Sequence, residues 1–140
     1  MERPTRSVES RMRVRYKETD QMGIAHHANY ITWFEVGRTD LCRAVGVTYR
    51  EIEAKGFLLV VTDVSCRYRA PFRYDDEVLL TTRLGSSGSR SITFLYELSG
   101  QGESAPRASG SSSHIWVDIQ TRRPTRPPAE LSALFARRSE

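Results

Sequence analysis

"NYITWFEVGRTDLCRAVG", residues 29–46, is the longest stretch of this sequence whose apolar residues recur at helical spacing. Tyr30, Phe34, Gly37, Leu41, Ala44 and Val45 follow one another at steps of three and four, while Glu35, Arg38 and Arg43 fall off that stripe. The pattern predicts one amphipathic helix from Asn29 to about Val45, stopped by Gly46 as a C-cap. Downstream the period changes to two and stays there, so this helix has to find its partner in a sheet.

Upstream, residues 9–18 alternate Met12, Val14 and Tyr16 against Arg11, Arg13 and Arg15, the period of a strand with one covered face. A short helix is expected in "TYREIEAKG", with Thr48 as N-cap, Glu51 completing a capping box and Gly56 closing it. Strands follow in "FLLVVTDVSCRYRA", in "EVLLTTRL" after the turn "PFRYDD", in "SRSITFLYEL" after the turn "GSSG", and in the end of "RASGSSSHIWVDIQ", where Ile115, Val117 and Ile119 share a side. A last helix starts at Pro128 with Leu131, Leu134 and Phe135 available to pack. Four successive antiparallel strands, preceded by a strand and a long helix, make an α+β domain. Residues 1–140 read as one domain, with 1–8 and 136–140 as flexible ends. One helix covers only one face of such a sheet, and Leu79, Leu95 and Trp116 lie beyond a single stripe, so the chain is expected to be a dimer at least.

Composition bounds what this domain can do. Hydrophobic residues at 39% and charged residues at 27% suit a globular protein, and no apolar run approaches the ~18 residues of a membrane span. "MERPTRSVESRMR" has charge but no apolar core, so it does not read as a secretory signal; with only Cys42 and Cys66, a reducing cytoplasm is the expected compartment and a disulfide framework is not expected. The net charge of +4 is almost wholly arginine, since Lys17 and Lys55 are the only lysines. Arginine favours anionic partners, nucleic acid or a phosphate-bearing cofactor among them.

The candidate chemistry lies in "ETDQMGIAHHANY", residues 18–30. Asp20 falls between a strand and the start of the helix, whose first N–H groups, from roughly Ala25 to Asn29, lack helical acceptors and carry partial positive charge. A carboxylate beside such donors is what acyl transfer needs: the carboxylate attacks a carbonyl or activates water, and the donors hold the oxyanion. Gly23 gives the loop freedom to turn close to a ligand. An isolated Asp in a loop is also commonly a turn or cap residue. His26 and His27 are adjacent, so their side chains are expected to point apart, and no further ligand is spaced to join them on a metal. Cys42 and Cys66 read as buried and inert, and "SGSSSH" lacks a nucleophile-elbow pattern.

"RVRYKETDQMGIAHHANYITWFEVGRTDL" resembles the N-terminal signature of the hotdog-fold acyl-CoA thioesterases, the 4-hydroxybenzoyl-CoA thioesterase family with its Tol-Pal-associated branch. "YRAPFRYDDEVLLTTRL", "SSGSRSITFLYEL" and "ASGSSSHIWVDIQTRRPTRPPAEL" are similar to its later strands. The resemblance implies a hotdog fold, a five- or six-stranded antiparallel sheet wrapped around one central helix, paired into a homodimer or a dimer-of-dimers tetramer with active sites at the dimer interface. It implies hydrolysis of an acyl-CoA, with coenzyme A entering as part of the substrate and no separate cofactor or metal. It places the catalytic carboxylate on Asp20, the oxyanion donor on the backbone N–H of His27, a supporting tyrosine on Tyr16, and nucleotide-phosphate contacts on Arg90 and Ser91, with Arg67 and Arg69 as further candidates on charge. The acyl pocket is expected near Ile24, Tyr30, Phe34 and Phe57 to Val61. Where many relatives have an aromatic residue, this chain has His26. A non-catalytic acyl-CoA or acyl-carrier-protein binding module is the alternative; nucleic acid is not expected, for want of a basic-aromatic stacking motif.

Overall fold

The computed structural model describes residues 7–136. Five strands, β1 (Ser7–Arg13), β2 (Phe57–Tyr68), β3 (Glu77–Ser87), β4 (Ser91–Gly100) and β5 (Ala108–Asp118), form one antiparallel sheet in the order β1-β3-β4-β5-β2. Three helices accompany them: α1 (Ala28–Val45), α2 (Tyr49–Ala54) and α3 (Ala129–Phe135). This is the expected α+β hotdog arrangement, with five strands. Of the ends expected to be flexible, Ser7 and Val8 instead belong to β1, held by pairing with Arg83 and Thr82 of β3; most of the remainder lies outside the described residues. No helix among the described residues is long and apolar enough to cross a membrane.

The helix lies on the sheet because two glycines let it come close. Phe34 stacks on Tyr96 of β4 at 4.0 Å and 5°, and its ring crosses Gly110 of β5, where any Cβ would meet Phe34 and the Ser65 carbonyl. Gly37, one turn on, packs on β3 against Thr82 and Leu80. Full burial of a side chain such as Phe34 contributes roughly 1.5–3 kcal/mol. Gly37→Ala therefore carries two opposed terms. Alanine gains about 1 kcal/mol of helix propensity, but its methyl would collide with Thr82 Oγ1 and Leu80, and overpacking of this kind costs about 1–3 kcal/mol. The expected net is a loss of up to about 2 kcal/mol, read as a lower urea midpoint; a higher midpoint would show that α1 rides further from β3.

Helix ends follow their chemistry. Gly46, at φ 114°, closes α1 with its N–H on the carbonyls of Cys42 and Arg43, and Thr48 with Glu51 forms the capping box of α2.

Three expectations, at Tyr16, on α1 and at the β3–β4 turn, need correction. Tyr16 does not continue the β1 alternation: the strand stops at Arg13, a 3-10 turn occupies Tyr16–Glu18, and Tyr16 is 79% exposed. On α1, Ala44 faces out while Trp33, Arg38 and Cys42 are buried, because sheet and loops cover more than the six-residue stripe. On β5, where no inward face was expected in advance, Ser112, His114 and Trp116 are buried, as is Val117, and Ile115 is only half-buried. Finally, β3 runs through Ser87, with an irregular register between Leu84 and Ser87, so the "GSSG" turn begins later than read.

Candidate active site

The segment joining β1 to α1 is fastened at both ends before it presents anything to solvent. Glu18, only 4% exposed, accepts from the Arg15 N–H at 2.7 Å, from the Arg15 guanidinium at 3.2 Å and from Trp33 Nε1 at 3.1 Å. Burial by itself would raise its pKa, but these bonds outweigh it and hold the carboxylate below its usual range. Its carbonyl accepts from the His26 N–H and the Asn29 side chain, and Ala25 N–H reaches the Phe72 carbonyl. These bonds hold the loop on α1 and on the segment after β2.

Between those fastenings the chain makes a tight turn. Asp20 N–H donates to the Ile24 carbonyl, Gly23 N–H donates to the Asp20 carbonyl, and Gly23 takes φ 81° as expected of a residue that must turn left-handed. Asp20 Oδ1 accepts from Met22 N–H at 2.9 Å, leaving Oδ2 toward His26 Nδ1 at 3.8 Å, too far for a hydrogen bond. So Asp20 is both a turn residue and a carboxylate with one oxygen uncommitted.

Asp20 borders a cleft of about 270 Å³ together with Ile24, His27, Tyr30, Tyr68 and Arg69. At the start of α1, the Ala25, His26, Asn29 and Tyr30 N–H groups are all engaged, the last two by the carbonyls of His26 and His27. Among the described residues the N–H groups of His27 and Ala28 have no acceptor. The free donors thus narrow from the expected Ala25 to Asn29 window to two residues, and they occupy the N-terminus of an 18-residue helix.

Tyr68 was not anticipated. Its hydroxyl donates to the His27 carbonyl at 2.8 Å, and its ring stands edge-on to Tyr30 at 4.8 Å. It fixes the peptide on which the helix begins. The sequence offered only its place in the strand expected over "FLLVVTDVSCRYRA"; the crossing from β2 to the α1 N-terminus is tertiary. Tyr68→Phe is expected to leave the fold intact and lower kcat/KM about three- to tenfold, the worth of one such bond, with kcat carrying most of the loss. An effect confined to KM would mean that Tyr68 only touches substrate.

Other candidates are placed less closely. Tyr16 does not border the cleft; its ring packs edge-on against Tyr74. Arg90 and Ser91 lie after the β3–β4 turn, where the Arg90 carbonyl accepts from Trp116 N–H, whereas Tyr68 pairs with Ala108. Residues 108 to 116 of β5 separate the two ends by about 27 Å at ~3.4 Å per residue, so one chain does not bring Arg90 to Asp20. Arg69 does border the cleft, its guanidinium donating to Ser109 Oγ at 2.9 Å. Of the expected acyl pocket, Ile24 and Tyr30 line the cleft, Phe34 is instead sealed against the sheet, and Phe57 to Val61 lie toward the far end of β2.

The His26 and His27 rings do not point apart as adjacency suggested. Their centroids are 4.3 Å apart and tilted, because His27 already has helical φ and ψ. Among the described residues no group of three or more His, Cys, Asp or Glu is placed to hold a metal ion. Both cysteines are free; burial pushes the Cys42 thiol up to about 12, which leaves it a poor nucleophile.

The sequence pattern of the thioesterase-like superfamily matches residues 14–135. A Bacillus subtilis (strain 168) protein, YneP, whose name describes it provisionally as an acyl-CoA thioesterase, is 39% identical over 112 residues, 79% of this chain and 80% of that one. The acyl-CoA thioester hydrolase YbgC of Escherichia coli is 31% identical over 83 residues, 59% of this chain and 62% of that one. Among solved structures, the DHNA-CoA thioesterase of Staphylococcus aureus superposes with a TM-score of 0.86 at 28% identity, over 92% of this chain and 88% of that one.

Proposed function

The chain belongs to the thioesterase-like superfamily, and on that premise we propose that it hydrolyses an acyl-CoA to the free acid and coenzyme A in the Asp20 cleft. The observation that carries the reading is that Asp20, with one carboxylate oxygen uncommitted, and His27, whose N–H has no acceptor, border one cleft at the start of α1. The thioester carbonyl oxygen is placed against the helix N-terminus, where the donors hold the charge that develops on it. Asp20 then either attacks the carbonyl carbon, forming a mixed anhydride that water hydrolyses in a second step, or takes a proton from the water that attacks directly and passes it to the leaving sulfur. The C–S bond breaks, coenzyme A leaves as its thiol, and the acid leaves as its carboxylate. His26 contributes little: an exposed His–carboxylate pair at 3.8 Å is worth up to ~1 kcal/mol. The test is turnover of a panel of aliphatic and aromatic acyl-CoAs, read by thiol release; no turnover on any of them would remove the proposal.

The active assembly is a homodimer, or a tetramer made from such dimers. β2 is an edge strand, yet Val60, Val61, Val64 and Tyr68 on it are each more than a third exposed. An open apolar edge of that length invites a partner strand. Two-fold antiparallel pairing of β2 with its copy would set the partner's Phe57 end, and with it the partner's β3–β4 turn, beside this chain's Tyr68. That arrangement supports a nucleotide-binding role for Arg90 and Ser91 across the interface, which the 27 Å in-chain separation forbids within one protomer. Val61→Lys, at the centre of the edge, is expected to shift the protein toward monomer in sedimentation velocity and to reduce turnover with it. A wild-type monomer of full activity would refute the shared site.

A further inference from the structure

A second polar constellation lies under the middle of α1, away from Asp20. The Arg38 guanidinium donates to the Tyr96 hydroxyl at 3.2 Å, Tyr96 Oη and Ser112 Oγ are 2.6 Å apart, and Ser112 Oγ is 2.8 Å from His114 Nε2. Arg38 is 8% exposed and His114 1%. The direction of this relay follows from its first member, because a guanidinium only donates. Tyr96 accepts from Arg38, gives its own proton to Ser112, and Ser112 donates to Nε2. The reverse direction would leave the Tyr96 proton buried without an acceptor. An accepting Nε2 belongs to a neutral ring whose proton is on Nδ1. Burial first, and the Arg38 charge second, hold the His114 pKa at about 4, so the ring is neutral near pH 7.

Two buried donors are then left over, Arg38 Nε–H and His114 Nδ1–H, and neither has a partner. Among the described residues no carboxylate lies within ion-pair distance of Arg38. A buried cation without a counter-charge and two unmet donors are both expensive. Both residues border one cavity of about 190 Å³, whose other walls include Tyr49, Ile52, Leu58 and Leu59, with the exposed Glu35 and Glu53 at its rim. The rim acids make no ion pair with Arg38; the Tyr49 hydroxyl lies close enough to the guanidinium to help hold its charge, but Arg38 Nε and His114 Nδ1 still have no acceptor.

We infer that this cavity binds a carboxylate, its oxygens accepting from Arg38 Nε and His114 Nδ1, both closed to solvent here, once the two side chains turn toward it, and its apolar body lying on Ile52, Leu58 and Leu59. The carboxylate has two possible sources: a free short-chain acid, or the far end of an acyl group whose thioester is held at the start of α1. Arg38 is ten residues beyond Ala28, about 15 Å along the helix axis. Only the second source rests on the thioester reading.

The experiment titrates the wild-type protein with sodium butyrate, against butyramide and sodium chloride as controls, by calorimetry and by the ¹⁵N resonances of the histidine rings. Saturable butyrate binding about tenfold or more tighter than butyramide, with the His114 Nδ1 signal moving, is expected. His114→Phe, folded by circular dichroism, should abolish it. No saturable butyrate binding, or equal binding of butyramide, overturns the inference and leaves a water-filled cavity, without reliance on any variant. Turnover then separates the sources: a preference for dodecanedioyl-CoA, whose far carboxylate can span that distance along α1, over dodecanoyl-CoA that disappears in His114→Phe assigns the acyl terminus, and butyrate binding with no such preference assigns the free acid. Butyrate binding in a protein that turns over no thioester would sink the hydrolase reading and leave this site standing.

Discussion

Asp20→Asn is expected to lower kcat by about 10²–10⁴-fold on the best acyl-CoA, the usual worth of a catalytic carboxylate acting on a proton or a carbonyl. The substitution is a narrow one. Asn keeps an oxygen in place of Oδ1 to accept from Met22 N–H, so the turn that Asp20 closes with Gly23 and Ile24 survives. What it removes is the charge and basicity of the uncommitted oxygen. KM should move little, because Ile24, Tyr30, Tyr68 and the free N–H groups that receive the substrate are untouched. Steady-state kinetics with circular dichroism and a melting curve for both proteins decide the matter. Turnover in Asp20→Asn within a few-fold of wild type would reduce Asp20 to its turn-forming role and leave water activation to some other group. Retained acyl-CoA affinity with no turnover in either protein would instead favour the non-catalytic binding module.

What the sequence could and could not tell about this site follows from how each residue is held. The central helix, the capping box at Thr48 and Glu51, and the glycine at its end are local, written in spacings of three and four, and α1 begins within one residue of its expected start. Asp20 was legible for the same reason, since a strand end, a glycine and a helix start sit within a dozen residues of one another. Glu18 and Arg38 were not. A charged residue on an amphipathic helix ordinarily marks the solvent side, and Arg38 reads that way until Tyr96 and Ser112, from strands more than fifty residues away, are seen to close over it. The buried polar face of β5 was not legible, because Ser112 and His114 become inward residues only through their bonds to Tyr96 and to each other. Arg90 fails differently. Its position in the chain agrees with the resemblance, but one protomer holds it at the wrong end of β5 from Asp20, so its role depends on a surface that a single chain does not complete.

His27 separates a ring from a peptide, and two substitutions at that one position should give very different results. His27→Ala removes an imidazole that borders the cleft and stands edge-on to Tyr68 at 6.2 Å, but keeps the backbone N–H. Loss of that contact is worth about 0.5–1.5 kcal/mol, so kcat/KM should fall by no more than about tenfold, mostly through KM. His27→Pro deletes the N–H itself. The position tolerates proline's geometry: φ is −57°, inside the range the pyrrolidine ring imposes, the N–H has no acceptor to lose, and His26 before it lies outside the helix. Removal of one oxyanion donor from a site of this kind costs about 10²–10³-fold in kcat, or ~3–4 kcal/mol. The N–H of Ala28 remains, so turnover should be impaired and still measurable. The expected order is wild type, then His27→Ala, then His27→Pro by a wide margin, with all three folded alike. If alanine proved as damaging as proline, the imidazole would be the participating group and the helix N-terminus only its support; if proline were harmless, the oxyanion would have to be held elsewhere, with Arg69 across the cleft the nearest charged donor.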